Sequence, residues 1–395
     1  MRPFPFAHSR SIIVIAALLL ILLACGQTAG NTPLATDALP TSASPFATLS
    51  IPTVASSLTT PSIPTDPTDT QAANPTLPST DSIQVFFTDP SARDAQSYSG
   101  GPDQFLVASI DGSQLSIDVA AYSFNLWSIR DALIRAVQRG VVVRMVMESD
   151  NMDGEEVQAL KDAGINILGD QRQGLMHDKF IVIDRSEVWT GSLNFTAGGT
   201  YKDNNDLLRI RSAQAAEIFT AQFNQMFVDN LFGPDVRNED PAPGLMVDGT
   251  PLDILFSPDN KVAAHLLPLI QSARESIYIL AYSFTSNDLG DAVMQRAREG
   301  VKVQGVMDAS QVASNQGTEY DRFIQAGLDI RQDGNNGLMH HKVLIIDGKT
   351  VVTGSYNFTN AAETENDENL VIITSTSLAQ QYLDEFQKIY AQGQK

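Results

Sequence analysis

The sequence predicts an α/β protein of two homologous halves, each built on a largely parallel or mixed sheet. Three observations carry this. The tetrapeptide Ala121-Tyr122-Ser123-Phe124 returns as Ala281-Tyr282-Ser283-Phe284. Each copy stands between a β-like run and a helical stretch. The segment 174–196 also returns as 337–359, with 14 of 23 positions identical. Strand–helix–strand order repeated in this way argues for alternating layers. Two copies of a unit of about 150 residues fit a fused pseudo-dimer better than a solenoid, which stacks at least three short repeats. A two-fold interface of that kind brings equivalent residues together.

Along the chain, residues 1–25 read as an export signal. Arg2 and Arg10 flank an apolar run from Ile12 to Ala24. Thirteen helical residues rise about 20 Å, short of a hydrocarbon core of about 30 Å, so the run fits a signal rather than a membrane span. It ends Leu22-Leu23-Ala24-Cys25, which resembles a bacterial lipobox. Cys25 is the single cysteine of the chain, so it has no disulfide partner within it. It is read as the lipidation site, the alternative being a signal-peptide cysteine lost on ordinary cleavage. Both readings place the mature protein outside the cytoplasm: lipid-anchored on the extracytoplasmic side of the membrane, or secreted or periplasmic. Residues 26–80 are rich in Thr, Ser, Pro and Ala and contain no Lys or Arg. Such a segment buries too little surface to offset its ordering entropy, so a disordered tether is expected.

The first half is expected over 81–235, opening with a strand at Ile83 to Phe87. A strand at Leu115 to Val119, a helix at Ser128 to Arg139 closed by Gly140, and a strand at Val141 to Met147 follow. The second half, expected over 250–395, matches with Leu252 to Phe256, Ser276 to Leu280, Asp288 to Glu299 closed by Gly300, and Val301 to Met307. Ala163-Gly164-Ile165 recurs as Ala326-Gly327-Leu328, and the Pro- and Gly-rich stretch 233–250 reads as the junction. With 395 residues and 43% hydrophobic content the chain has ample material for a core. Its net charge of -20 gives little non-specific attraction to phosphate backbones, which weighs against a general nucleic-acid binder.

In the near-identical segment the identities include polar residues, whereas a repeat kept for packing alone would retain mostly the apolar pattern. A strand period of two puts His177 and Lys179 on one face, with Ser192 and Asn194 in a following row. His340, Lys342, Ser355 and Asn357 repeat the arrangement. Two halves meeting face to face would assemble two imidazoles, two ammonium groups, two amides and two hydroxyls, a set suited to gripping a phosphate and attacking it. Asp184 and Asp347 complete the repeated motif. At odd spacing from their histidines they point away and read as supporting groups.

The runs His177-x-Lys179-x4-Asp184 and His340-x-Lys342-x4-Asp347 resemble the paired HKD motifs of the phospholipase D superfamily, and both Gly-Ser-x-Asn-Phe runs, 191–195 and 354–358, match as well. The resemblance spans essentially all of 83–390. It implies two α/β/α sandwich halves with mixed sheets, related by a pseudo-two-fold axis through an active site at their interface. It also implies a metal-independent, cofactor-free phosphodiesterase with the motif His, Lys and Asp residues as its catalytic set. His177 would be the nucleophile, forming a phosphohistidine, and His340 the acid. Lys179, Lys342, Asn194, Asn357, Ser192 and Ser355 would bind phosphate. Glu368 matches the family's acidic residue that orients a histidine. Its counterpart in the first half is Asn205, next to Asp206, so either Asp206 substitutes or one histidine lacks a carboxylate.

Three functions stay open on these residues: phospholipid hydrolysis or transphosphatidylation, exported endonuclease action on DNA or RNA, and an inactive phosphate-binding scaffold. Phospholipid, the membrane through the lipid anchor, and nucleic acid as the alternative substrate are the expected partners of a monomeric pseudo-dimer. His341 reads as a packing or surface residue and His265 as structural. Tyr122-Ser123-Phe124 and its copy are expected in the core more than in the cleft.

Overall fold

A computed structural model describes residues 81–237 and 244–394. The signal segment with Cys25 and the tether lie outside the described residues. The first half runs β1 (Ile83–Phe87), α1 (Asp103–Gly112), β2 (Ser116–Ala121), α2 (Trp127–Gln138), β3 (Val142–Met147), α3 (Glu155–Asp162), β4 (Asn166–Gly169), β5 (Lys179–Ile183), β6 (Glu187–Gly191), α4 (Ala197–Tyr201), β7 (Asp206–Arg211) and α5 (Ala213–Phe227). The second half opens with β8 (Leu245–Val247), just ahead of the expected boundary, then β9 (Thr250–Ser257), α6 (Val262–Ser272), β10 (Ser276–Ala281), α7 (Asn287–Arg298) and β11 (Lys302–Met307). It continues with α8 (Ala309–Ser314), α9 (Glu319–Gln325), β12 (Asp329–Gln332), β13 (Lys342–Ile346), β14 (Thr350–Gly354), α10 (Asn360–Thr364), β15 (Glu368–Thr374) and α11 (Thr376–Gln392).

The strands form two sheets, ordered β1-β7-β6-β5-β2-β3-β4 and β12-β11-β10-β13-β14-β15-β9-β8. Each is mixed. β2–β3–β4 and β10–β11–β12 pair parallel, and the remaining neighbours pair antiparallel. The parallel part arises because helices connect those strands, as parallel crossovers require. In α2 the buried residues Ile129, Ala132, Leu133 and Ala136 fall on one helical stripe. Gly140 behind it adopts φ 91°, the left-handed turn that ends a helix at least strain when glycine supplies it.

Three apolar clusters hold the layers. One lies under α1–α3 on the outer face of the first sheet, and another under α6, α7 and α9 on the outer face of the second. The third belongs to both halves: α5 and α11 sit between the sheets, and Phe219 on α5 packs 5.0 Å from Phe180 of its own sheet and 5.2 Å from Phe256 of the other. Each sheet therefore has helices on both faces, the expected α/β/α sandwich. Strands buried on both sides read as continuous apolar runs, and β5 (KFIVI) and β13 (KVLII) are buried at every position. Among the described residues no helix is long and apolar enough to cross a membrane.

Candidate active site at the junction of the halves

Both histidines stand just ahead of a central strand and are set in place by the opposite half. His177 N–H donates to Asp367 O at 3.0 Å and Asp367 N–H to Leu175 O at 2.9 Å. In the mirrored pair His340 N–H donates to Asn204 O at 2.9 Å and Asn204 N–H to Leu338 O at 2.7 Å. Carboxylates at the ends of β3 and β11 tether the same loops: Met176 N–H donates to Glu148 at 2.9 Å and Met339 N–H to Asp308 at 3.0 Å. The motif glycines have a steric cause. A Cβ on Gly191 would stand 2.5 Å from Asp206 O, and one on Gly354 2.3 Å from Asn369 O, because β6 and β14 press against the strands that carry the histidine partners.

Those partners cross the junction. His177 Nδ1 meets Glu368 Oε2 at 2.7 Å. The Ser355 hydroxyl also donates to Oε2 at 2.7 Å, and Asn366 Nδ2 donates to Oε1 at 3.1 Å. A carboxylate that receives this many donors fixes the His177 proton on Nδ1 and leaves Nε2 with the lone pair. His340 Nδ1 faces Asn205 Oδ1 at 2.9 Å and Ser192 O at 3.1 Å. Asn205 is itself oriented, donating to Gly199 O and accepting from the Ser192 hydroxyl, both at 2.9 Å. Facing two oxygen acceptors, His340 too carries its proton on Nδ1.

The question left open by the sequence thus resolves: Asp206 does not stand in for the missing carboxylate. It pairs instead with His341 Nδ1 at 3.1 Å, Thr353 Oγ1 at 2.6 Å and the Tyr382 hydroxyl at 2.9 Å. Of the two readings for His341, packing or surface, burial selects packing. Its counterpart Asp178 takes the Asn369 amide at 2.8 Å, so acid and partner change places between the copies. His265 is exposed on α6.

Lys179 and Lys342 are buried, and each donates to the carbonyl of its own motif histidine at 2.7 Å. The Tyr122 ring stacks edge-on against His177 at 4.8 Å with Lys179 5.1 Å from its centroid; Tyr282 does the same for His340 and Lys342 at 4.7 Å each. These tyrosines line the site, while Phe124 and Phe284 behind them are core, bridged to Phe195 and Phe358. Asn194 Oδ1 and Asn357 Oδ1 are buried without a hydrogen-bond partner.

Two parts of the expected set are elsewhere. Ser192 and Ser355 do not face a phosphate: their buried hydroxyls are spent on Asn205 and Glu368 and on the N–H groups of Asp206 (3.0 Å) and Asn369 (2.9 Å). Asp184 and Asp347 stand at the ends of β5 and β13 away from the histidines. Their left-handed backbone (φ 52° and 53°) turns each carboxylate onto successive N–H groups ahead of β2 and β10, those of Gln114, Leu115 and Ser116 and of Arg274, Glu275 and Ser276.

The electrostatics are those of a buried cluster of basic groups. Burial, then the Lys179 and Lys342 ammonium groups, hold His177 well below the usual imidazole value. His340 is depressed by burial and by the same two lysines. Burial pushes Lys179 down to about 7 against the pull of Glu368, and it pushes Glu368 up to about 7 against the pull of Lys179. Lys342 is driven well down by burial and by Lys179. An anion entering here would relieve every one of the cationic penalties. Among the described residues no group of three or more His, Cys, Asp or Glu side chains is placed to hold a metal ion.

Comparison with known proteins gives the same picture. The family model described as cardiolipin synthase, PLD-like domain, matches twice, over residues 106–227 and 266–390. A mitochondrial cardiolipin hydrolase of Chlamydomonas reinhardtii is 30% identical over 174 residues, covering 38% of this chain and 78% of its own. A phospholipase D of Rickettsia prowazekii (strain Madrid E) is 29% identical over 207 residues, 52% of this chain and 91% of its own. The solved phosphatidylserine synthase of Haemophilus influenzae Rd KW20 shares the fold, with a TM-score of 0.58 at 15% identity over 79% of this chain and 87% of that one. With two matched PLD-like units and one junction between them, the chain belongs to the phospholipase D superfamily and is a phosphodiesterase of that type.

Proposed function

We propose that the protein cleaves phospholipids at the head-group phosphodiester in two steps, through a phosphohistidine on His177. The observation that carries this reading is the pair of imidazoles held from opposite halves, each with Nδ1 engaged and Nε2 left for substrate. In the first step the His177 Nε2 lone pair attacks phosphorus. The P–N bond forms as the P–O bond to the head-group alcohol breaks, and His340, which enters this step as the imidazolium with a second proton on Nε2, gives that proton to the leaving oxygen. In the second step His340 takes a proton from water, whose oxygen bonds to phosphorus as the P–N bond breaks. Phosphatidic acid leaves and both imidazoles return to their starting state. An acceptor alcohol in place of water gives transphosphatidylation by the same path.

Lys179, Lys342, Asn194 and Asn357 stabilise the added charge on the phosphoryl oxygens. The bound phosphodiester also supplies negative charge beside His340, which raises the proton affinity that burial and the lysines depress. The Glu368 carboxylate supports the positive charge that His177 carries as a phosphohistidine. The relatives named phospholipase D and cardiolipin hydrolase, and a net charge of -20, favour lipid over nucleic acid. Lipidation of Cys25 on the extracytoplasmic side would hold the enzyme at its substrate.

The test compares head-group release from mixed phospholipid vesicles with cleavage of plasmid DNA, both in excess EDTA. His177→Ala and His340→Ala are each expected to lower head-group release by about 10⁴-fold or more. In His340→Ala, a substrate with a good leaving group should leave a phosphoryl adduct on His177 detectable by mass spectrometry. DNA cleavage with the same dependence and no lipid turnover would replace this reading with the nuclease.

A further inference from the structure

Tyr122 and Tyr282 are the first residues past β2 and β10, where the chain bends out of the strand. Each is tied back to the motif beside it. Tyr122 N–H donates to Asp178 O at 3.2 Å, and Tyr282 N–H donates to His341 O at 2.8 Å. The strands ahead of them, SIDVAA and SIYILA, differ at three of six positions. The four residues from Ala121 and from Ala281 repeat without change. Packing in the strand let residues drift between the copies, and the end of the strand did not follow.

The bend brings each ring onto the lysine of the neighbouring strand. Lys179 Nζ stands 5.1 Å from the Tyr122 centroid and Lys342 Nζ 4.7 Å from that of Tyr282, close enough for a ring face to attract a cation. An ammonium group has three donors. One goes to the carbonyl of the motif histidine, at 2.7 Å in both copies. A ring that takes the second leaves the third for an oxygen of the substrate. The rings also offset, without adding a charge, the burial that drives both lysines towards neutrality. Lys179 has carboxylates to help it, Glu368 first and then Asp178, while His177 and Lys342 face it as well. At Lys342 the repulsion from Lys179 outweighs the pull of Glu368, Asp206 and Asp308, with His340 and Asp203 also near. Lys342 therefore depends more on its ring. Burial, Asp308 and Asp203 raise the Tyr282 hydroxyl above its ordinary value, so the ring stays uncharged at neutral pH.

We propose that Tyr122 and Tyr282 are positioning residues that keep the two lysines charged and aimed at the phosphoryl oxygens, Tyr282 being the more important of the pair. The proposal rests on the phosphodiesterase site and not on the choice of lipid as its substrate.

The experiment uses the full chain and inorganic phosphate, with binding followed by calorimetry at about pH 6 and about pH 8, either side of the Lys179 value of about 7. Tyr282→Leu should weaken binding about tenfold or more at the higher pH, and clearly less at the lower, where protons are plentiful. Tyr282→Phe keeps the ring face and should stay within about twofold of wild type at both. Tyr122→Leu should weaken binding only about threefold at the higher pH. Both tyrosines are half-buried; if Tyr282→Leu fails to fold, Tyr282→Met, which also lacks a ring, takes its place. A Phe variant as weak as the Leu variant would give the role to the hydroxyl and overturn the proposal. Equal losses at both pH values, or no loss, would reduce the rings to packing and overturn it too. Phosphate affinity that follows the expected order in a chain that cleaves only DNA would uphold the positioning role while replacing the lipid reading.

Discussion

The two halves are near-copies, and they differ where the chemistry is divided. His177 of the first half is backed by a carboxylate from the second, Glu368, whereas His340 of the second is backed by a neutral amide from the first, Asn205. The serines, lysines and tyrosines around this exchange are mirrored: each serine fastens the partner, each lysine caps its histidine's carbonyl, each tyrosine stacks on a ring. A largely symmetric frame thus carries an asymmetric substitution behind the histidines, and it separates two imidazoles that the rest of the frame would make equivalent. A fixed negative charge suits the ring that must become cationic on phosphorylation. A neutral acceptor suits the ring that must give and take a proton twice per turnover.

Replacing Glu368 by glutamine attacks the comparison most directly. Glu368→Gln removes the charge behind His177, and head-group release should fall on the order of a hundredfold. Stability should move the other way. Burial raises the Glu368 pKa from 4.5 to about 7, so its stabilising contribution is complete below the unfolded value and is lost as pH rises through about 7. The melting temperature of Glu368→Gln relative to wild type should therefore climb between pH 4.5 and pH 7. A relative melting temperature that falls over that window would mean the carboxylate stabilises the fold rather than straining it for function.

A smaller effect comes from making the halves alike. Asn205→Asp places a carboxylate behind His340 as well, in a slot already shaped by the Ser192 hydroxyl. A nearby negative charge raises the imidazole pKa, which burial and the lysines hold down in the wild type. As general acid, His340 works in its protonated form, so the alkaline limb of kcat/KM should move to higher pH while the maximum changes only several-fold. An unmoved limb would assign it to another group, Lys179 being the first to examine since its pKa lies at about 7.

Much of this was legible before any coordinates. The repeated Ala-Tyr-Ser-Phe and Gly-Ser-x-Asn-Phe runs marked the strand ends that meet, because residues 124 and 195, and 284 and 358, form bridges that hold the two motifs together. The His and Lys pairs were found because chemistry keeps polar identities that packing would let drift. The direction of support was not legible: spacing along one chain says nothing about which histidine Glu368 supports, since that depends on how two sheets face across α5 and α11. Ser192 was misread for a related reason. Strand alternation gives the face a hydroxyl lies on, whereas its partner is decided by Asn205 and Asp206, which arrive from a neighbouring strand. Glu148 and Asp308 were missed, although an acid after Val-Met in both copies was the available signal.

Asp347 offers the mildest perturbation and a clear separation of motif from mechanism. Its carboxylate accepts from Arg274 and Glu275 N–H at 2.9 and 2.7 Å and from Ser276 N–H at 3.0 Å, and these bonds hold its pKa below the usual value despite the cost of burial. These contacts fasten the end of β13 to the start of β10, the far end of the strand from His340. Asp347→Ala should cost about 1–3 kcal/mol of stability through the lost N–H acceptors and the strained left-handed residue. Because a depressed carboxylate pKa contributes above its unfolded value, the deficit should be full at neutral pH and shrink as the solution is acidified below pH 3.8. Head-group release at a temperature where the variant is folded should stay within about threefold of wild type. A loss approaching that of His340→Ala would return Asp347 to the catalytic set and contradict its placement at the opposite end of the strand.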